Sequence, residues 1–274
     1  METPSNGIQK LIQIRDKYLE LTRGVIDYDK FNYYSIVHHG TSIEGSTLTE
    51  EETFLLLDEN LTPKNKPLLH TLMTVDHYNA LKYVVELAKS KKKLDVGEIR
   101  KISSLILKST GSTISTMAGD FDSSKGEFRK TTVRAGNRSF MDYRKVPEKV
   151  GELLDHINKN INQSKDFVEN SILAFDSHFQ MVSIHPFADG NGRLSRLLMN
   201  YVQHYHGEPM TIVSNTDRQE YFDALEETRK NEDIDVFRNF MFNQSYKYFQ
   251  KEILNLTEGQ KQDKSKGRGL SFLF

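Results

Sequence analysis

The chain has 274 residues, 37% hydrophobic and 27% charged, with a formal net charge of -1. That length supports a sizeable core in one large domain or two small ones, and the near-zero charge argues against a nucleic-acid partner. Cysteine is absent, which excludes a disulfide framework and thiolate chemistry.

The first seven residues, Met1 to Gly7, lack the basic and apolar regions of a secretory signal. No apolar run reaches membrane-spanning length, so no membrane partner is expected and the cytoplasm is the expected location. Residues 8–23 carry Ile8, Leu11, Ile12, Tyr18 and Leu19 at helical spacing. Tyr28, Phe31, Tyr33 and Tyr34 follow and are expected to pack in the core. Thr49 ahead of Glu50, Glu51 and Glu52 has the form of an N-cap with an acidic first turn. Pro63 and Pro67 mark a loop, and the spacing predicts helices over about 68–89 and from Val96 to Lys108. Lys89 to Lys93 is read as a solvated connector.

Residues 109–126 are rich in Gly, Ser and Thr and are expected to form a loop. Thr131, Val133 and Ala135 alternate with polar neighbours before Gly136-Asn137, which predicts a hairpin. Pro147-Glu148 opens a further helix. A helix pair is expected over about 167–206, a capped helix from Thr216, and a last helix over 234–255. His178 is expected to be a packing residue. His204 and His206 are two apart and share no helix face, so they make a poor metal pair. No His-Glu-x-x-His and no Gly-x-x-x-x-Gly-Lys-Ser/Thr is present, which removes zinc-hydrolase and P-loop readings.

The chemistry concentrates between the paired helices, in His185-Pro186-Phe187-Ala188-Asp189-Gly190-Asn191-Gly192-Arg193-Leu194-Ser195-Arg196. Gly190 and Gly192 are expected to permit positive φ and close approach of a ligand to the backbone. Successive N–H groups at a helix start form an anion nest. Arg193 and Arg196 share a helix face and add two guanidinium forks, which together describe a polyphosphate site. Asp189 is an oxygen ligand suited to Mg2+. His185 is the one group here able to take a proton near neutral pH.

This stretch resembles the signature of the Fic family, His-Pro-Phe-x-Asp-Gly-Asn-Gly-Arg-x-x-Arg, and matches it without gap or substitution. The resemblance implies a mainly α fold, a Fic-type helical bundle with a short β-hairpin flap. It implies transfer of AMP from ATP, with Mg2+, to a Tyr, Thr or Ser hydroxyl of a target protein. In that scheme His185 is the catalytic base, and Asp189 holds the metal. Asp189, Gly190, Asn191, Gly192, Arg193, Leu194, Ser195 and Arg196 form the nucleotide loop. The Gly190–Gly192 amides and Asn191 would bind phosphate oxygens, Arg193 the β-phosphate and Arg196 the γ-phosphate. Tyr221 would line the adenine side, and Val133, Arg134, Ala135 and Gly136 would form the flap that holds the target segment by strand pairing.

The family also carries an inhibitory helix, Ser/Thr-x-x-x-Glu-Gly/Asn. Ile43-Glu44-Gly45 fits it, with Glu44 as the inhibitory carboxylate competing for Arg196, but Gly40 stands in the Ser/Thr position. The resemblance divides the chain into an N-terminal helical region (1–89), a catalytic core (90–250) and a polar, basic tail (251–274). A homodimer stays open. So do a de-AMPylating activity at the same site and a non-catalytic nucleotide-binding or interaction module. A phosphoryl-transferring toxin of the Doc type carries Lys where this chain has Gly192, which argues against that reading.

Overall fold

The structure is a computed structural model that describes residues 4–25, 28–135 and 138–266. Among these, ten α-helices carry the fold: α1 (Pro4–Thr22), α2 (Tyr28–Ile43), α3 (Glu50–Asp58), α4 (Leu68–Lys89), α5 (Val96–Ile106), α6 (Val146–Asn160), α7 (Phe167–Ile184), α8 (Asn191–Tyr205), α9 (Arg218–Asn231) and α10 (Ile234–Lys266). The fold is mainly α, as the sequence led us to expect. No helix among the described residues is long and apolar enough to cross a membrane.

Local sequence chemistry sets several helix starts. Thr49 Oγ1 accepts from the Glu52 N–H at 3.1 Å, and Glu52 Oε2 accepts from the Thr49 N–H at 2.8 Å, a complete capping box on α3. Asp95 caps α5 through the Glu98 N–H. Asp166 caps α7 through the N–H groups of Val168 and Glu169. The capping pattern expected at Thr216 is resolved differently. A 3-10 turn over Asn215–Asp217 comes first, capped by Ser214, and α9 begins at Arg218 with no side-chain cap.

The bundle is organised around α8, which packs on α7, α4, α5 and α2. Twelve of its 15 residues are buried, so nearly every side of the helix faces the core. Its polar side chains therefore need internal partners. Gln203 donates to Thr211 Oγ1 at 2.7 Å and accepts from the Thr211 N–H at 2.9 Å.

A second, smaller core joins α1 to α10, where Leu11 and Tyr18 meet Phe249, Ile253 and Leu256. α10 runs on past residue 255, where the spacing ended the last helix, and apolar residues at 249, 253 and 256 keep one face buried.

Strand structure is minimal. β1 (Thr113–Ile114) pairs antiparallel with β2 (Phe121–Asp122), inside the stretch expected to be a loop. β3 (Arg134–Ala135) pairs with β4 (Arg138–Ser139), which is the expected hairpin. Gly136 lies outside the described residues. Val133 precedes the ladder and accepts through its carbonyl from the Phe140 N–H at 3.1 Å.

Candidate active site

α7 ends on its own functional residue. His185 is the C-cap, with φ 54 and ψ 61, and its N–H closes on the Met181 carbonyl. A left-handed non-glycine residue costs on the order of 1–2 kcal/mol, so the surroundings must hold it. Pro186 follows and stops the helix. The imidazole is stacked on Phe140, with ring centroids 3.8 Å apart and an interplanar angle of 20°. The Arg138 guanidinium lies 4.6 Å from the same Phe140 ring. Burial pushes the His185 imidazole down to about 4, helped by Arg129 and Arg138 and opposed by the Val182 carbonyl and Asp189. The ring is therefore neutral near pH 7 and able to accept a proton.

The loop beyond it turns on Gly190, the left-handed N-cap of α8 with φ 75. The first bond of α8 runs from the Leu194 N–H to the Gly190 carbonyl. The N–H groups of Asn191, Gly192 and Arg193 thus have no helical acceptor, and they sit at the positive end of a 15-residue helix. This is a ready anion site.

Gly192 does not take a positive φ, contrary to expectation. It is helical, and a Cβ there would fall on the Glu44 carboxylate and within 3.3 Å of Arg196 Nη1. Its missing side chain is room for that ion pair.

Three members of the expected nucleotide loop turn inward. Asn191 Oδ1 accepts from the Phe187 N–H and its Nδ2 donates to the Phe187 carbonyl, both at 2.9 Å, so its amide braces the loop and is not free for phosphate. Leu194 is core. Ser195 is buried and donates to the Asn191 carbonyl at 2.8 Å.

The two arginines are 2% and 5% exposed, yet neither is fully bonded. Arg193 Nη1 donates to the Ile106 carbonyl at 3.3 Å, its Nη2 lies 3.6 Å from Asp189, and its Nε has no partner. Arg196 Nη2 donates to Glu44 Oε1 at 2.6 Å and to the Gly40 carbonyl at 2.9 Å, while Nε and Nη1 are unpaired. Buried unpaired guanidinium N–H groups are costly unless an anion completes them. Burial pulls Arg193 below its usual range. Arg196 stays above its own despite burial, because Glu44 and Tyr221 outweigh it.

Glu44 reaches the site from just beyond α2. Its backbone is fixed by bonds from Glu44 N–H and Ser46 N–H to the Thr41 carbonyl, and by Arg218, which donates to the Ile43 carbonyl. The departure at Gly40 has a steric cause. A Cβ there would stand 2.7 Å from His77 Nε2, and His77 is a fully buried residue of α4. The ring fills the space that a hydroxyl side chain would occupy. Nothing in the sequence marked His77.

Tyr221 is 1% exposed, so its ring offers no open wall to a base. Its hydroxyl pairs with His178 Nε2 at 3.1 Å, and the Arg196 guanidinium lies 5.9 Å from its ring. Tyr221 and His178 back Arg196 from within the bundle. His178 is the packing histidine expected, stacked on Phe237.

Asp189 is the most exposed member of the loop, its side chain 75% accessible. One oxygen accepts from the Gly190 N–H at 2.7 Å. No cluster of three or more acidic or histidine ligands exists among the described residues. A single exposed carboxylate beside an anion nest still fits Mg2+, which commonly takes one or two carboxylates and completes its shell with substrate phosphates and water.

Fold and site together define a helical protein with an anion-binding loop and an adjoining neutral histidine. Residues 93–203 match the Fic/DOC family. That stretch carries a Fic domain. It is 28% identical over 236 residues to the protein adenylyltransferase Fic of Aedes aegypti, covering 84% of this chain and 43% of that one. It is 26% identical over 239 residues to its namesake in Nematostella vectensis, covering 85% and 52%. The chain thus spans about half, or less, of the length of these relatives. The fold is shared with a Fic-domain signaling protein from Bacteroides thetaiotaomicron, at TM-score 0.74 and 23% identity over 90% of this chain and 97% of that one. It is shared with Fic-1 (residues 134–508) of C. elegans, at TM-score 0.72 and 21% identity over 93% and 73%.

Proposed function

We propose that this chain is a protein adenylyltransferase that moves AMP from ATP to a side-chain hydroxyl of a protein, and that Glu44 restrains it. The observation that carries this reading is the pairing of two sites on one turn. A neutral, partly buried His185 stands at one end of the loop, and three unpartnered guanidinium nitrogens on Arg193 and Arg196 stand at the other. The relatives' printed activity agrees with it.

The chemistry follows from these positions. The free N–H groups of residues 191–193 and the two guanidiniums would take the phosphate oxygens of ATP. Mg2+, held by Asp189 and the phosphates, would neutralise charge on them. His185 takes the proton of a Tyr, Thr or Ser hydroxyl. That oxygen bonds to the α-phosphorus as the bond to pyrophosphate breaks, and pyrophosphate leaves with the electron pair. The β3–β4 hairpin, with Val133 and Arg134 on its first side, would hold the target backbone by strand pairing. ATP as donor suits the cytoplasm.

Glu44 occupies Arg196 at 2.6 Å, so a third phosphate cannot use that arm of the fork while the ion pair lasts. Displacing the α-phosphorus from its in-line position would suffice to slow transfer.

The test is incubation of the protein with α-labelled ATP and, separately, γ-labelled ATP. Covalent label from the α-phosphate alone is the expected result. Label from the γ-phosphate would make the protein a kinase and overturn the reading.

A further inference from the structure

α7 ends at Ile184, so the carbonyls of His185 and Pro186 lie beyond the helix and meet no N–H of its ladder. The carbonyls of His185 and Pro186 therefore need hydrogen bonds from elsewhere. Both come from one residue. The Arg129 N–H donates to the Pro186 carbonyl at 3.1 Å, and Arg129 Nε donates to the His185 carbonyl at 2.8 Å.

The remaining arms of the same guanidinium face the neck of the hairpin. Nη1 donates to the Thr131 carbonyl and Nη2 to the Met141 carbonyl, each at 2.7 Å. Residues 131 and 141 flank the hairpin on its two sides, just outside the bond from the Phe140 N–H to the Val133 carbonyl. Arg129 is 1% exposed and has no carboxylate within ion-pair distance among the described residues. Burial lowers its affinity for a proton, and only Asp142 opposes that from farther off. A cation placed this way is held by carbonyl dipoles alone, including the negative C-terminal end of the 18-residue helix α7.

We infer that Arg129 is a positioning residue that locks the hairpin neck and the His185 backbone into one unit. It thereby fixes the imidazole beneath Phe140 and in line with the nucleotide loop. Three carbonyls from three separate chain segments meet at one planar fork, a geometry that a lysine point charge cannot reproduce. The stacking of Phe140 on His185 at 3.8 Å is the consequence. If the neck opens, Phe140 leaves the ring, and His185 loses the contact that orders it. The inference deepens the transferase reading, and its structural arm stands without it.

The experiment compares wild type, Arg129→Lys and Arg129→Ala in the full chain. Three quantities are read: turnover with α-labelled ATP, affinity for a non-hydrolysable ATP analogue, and amide hydrogen exchange over residues 138–143. Arg129→Lys should lower turnover at least about tenfold while nucleotide affinity stays within about threefold. Exchange over 138–143 should rise in step. Added methylguanidinium should restore part of the turnover of Arg129→Ala, and methylammonium should not.

Wild-type turnover and exchange in Arg129→Lys would overturn the inference. So would parallel loss of turnover and nucleotide affinity, which marks general damage, and so would equal rescue by the two cations. Should Arg129→Ala fail to fold, Arg129→Lys alone decides. Should wild type itself transfer no label, the transferase reading fails, and the exchange measurement still tests the lock.

Discussion

Glu44 Oε1 lies 2.6 Å from Arg196 Nη2, in space that is open only because residue 192 is glycine. Three separate features make this one contact. The turn after α2 presents the carboxylate, the N-terminal turn of α8 presents the guanidinium, and the absent Cβ lets them meet. The pair is partly buried, with Glu44 29% exposed at its side chain. It is therefore stronger than a surface pair yet open to competition from a phosphate.

If Glu44 is the proposed restraint, removing its carboxylate should raise transfer. Glu44→Gly is expected to raise self-modification with α-labelled ATP severalfold over wild type in a side-by-side time course. Arg196→Ala should give no such gain, because it deletes the phosphate contact together with the restraint. The double variant Glu44→Gly/His185→Ala should be silent. A label that survives in the double variant would show that transfer does not pass through His185.

His185→Ala should abolish transfer and spare nucleotide binding. The ring stacks on Phe140, and the phosphate-facing N–H groups belong to residues 191–193. Loss of a general base costs on the order of a hundredfold to ten-thousandfold. Turnover is compared with calorimetric affinity for an ATP analogue. Activity within a few-fold of wild type would remove His185 from the mechanism.

Acid should unfold the protein through its histidines. Burial pushes His39 and His185 down to about 4 and lowers His38, His77 and His178 as well. A group with a lowered folded pKa binds fewer protons in the folded chain than in the unfolded one. Its contribution is fully present above the unfolded value near 6.5 and is lost as pH falls toward about 4. The urea midpoint should drop steadily between about pH 7 and about pH 4.5, and a flat profile would contradict the burial argument. By the same shift, the acid limb of the transfer rate should lie below the ordinary histidine range.

Restoring a hydroxyl side chain at position 40 should harm the fold. A Cβ at Gly40 would stand 2.7 Å from His77 Nε2, and His77 is fully buried, so one of the two must shift. Gly40→Ser is expected to cost about 1–3 kcal/mol in denaturant unfolding, the usual range for overpacking. In a His77→Ala background most of that cost should vanish. Equal costs in both backgrounds would mean that some other neighbour sets the glycine.

The run from His185 to Arg196 was readable without a structure, because its elements are local. Two glycines, a proline and charges three residues apart determine a turn, a helix start and a shared helix face within a dozen residues. The same locality made α4 and the β3–β4 hairpin recognisable. The loop assigned to 109–126 hid a two-residue ladder, since so short a pairing leaves no periodicity to detect. The last helix, expected to end at 255, runs on to Lys266, and Leu256 is buried one residue past that expected end.

The sequence by itself determined the chemical parts: one base, one carboxylate, an anion-binding helix start and two guanidiniums on a common face. The tertiary structure alone decided which of those parts are free. It turned Asn191, Leu194 and Ser195 inward, since α8 lies at the centre of the bundle with partners on nearly every side. It set Tyr221 behind Arg196 and brought His77 against Gly40 and Glu44 against Arg196, pairs separated by 25 residues or more along the chain. Spacing along a chain fixes what one helix presents, but which face another helix covers is settled by packing, and packing is what leaves a guanidinium bonded or waiting for phosphate.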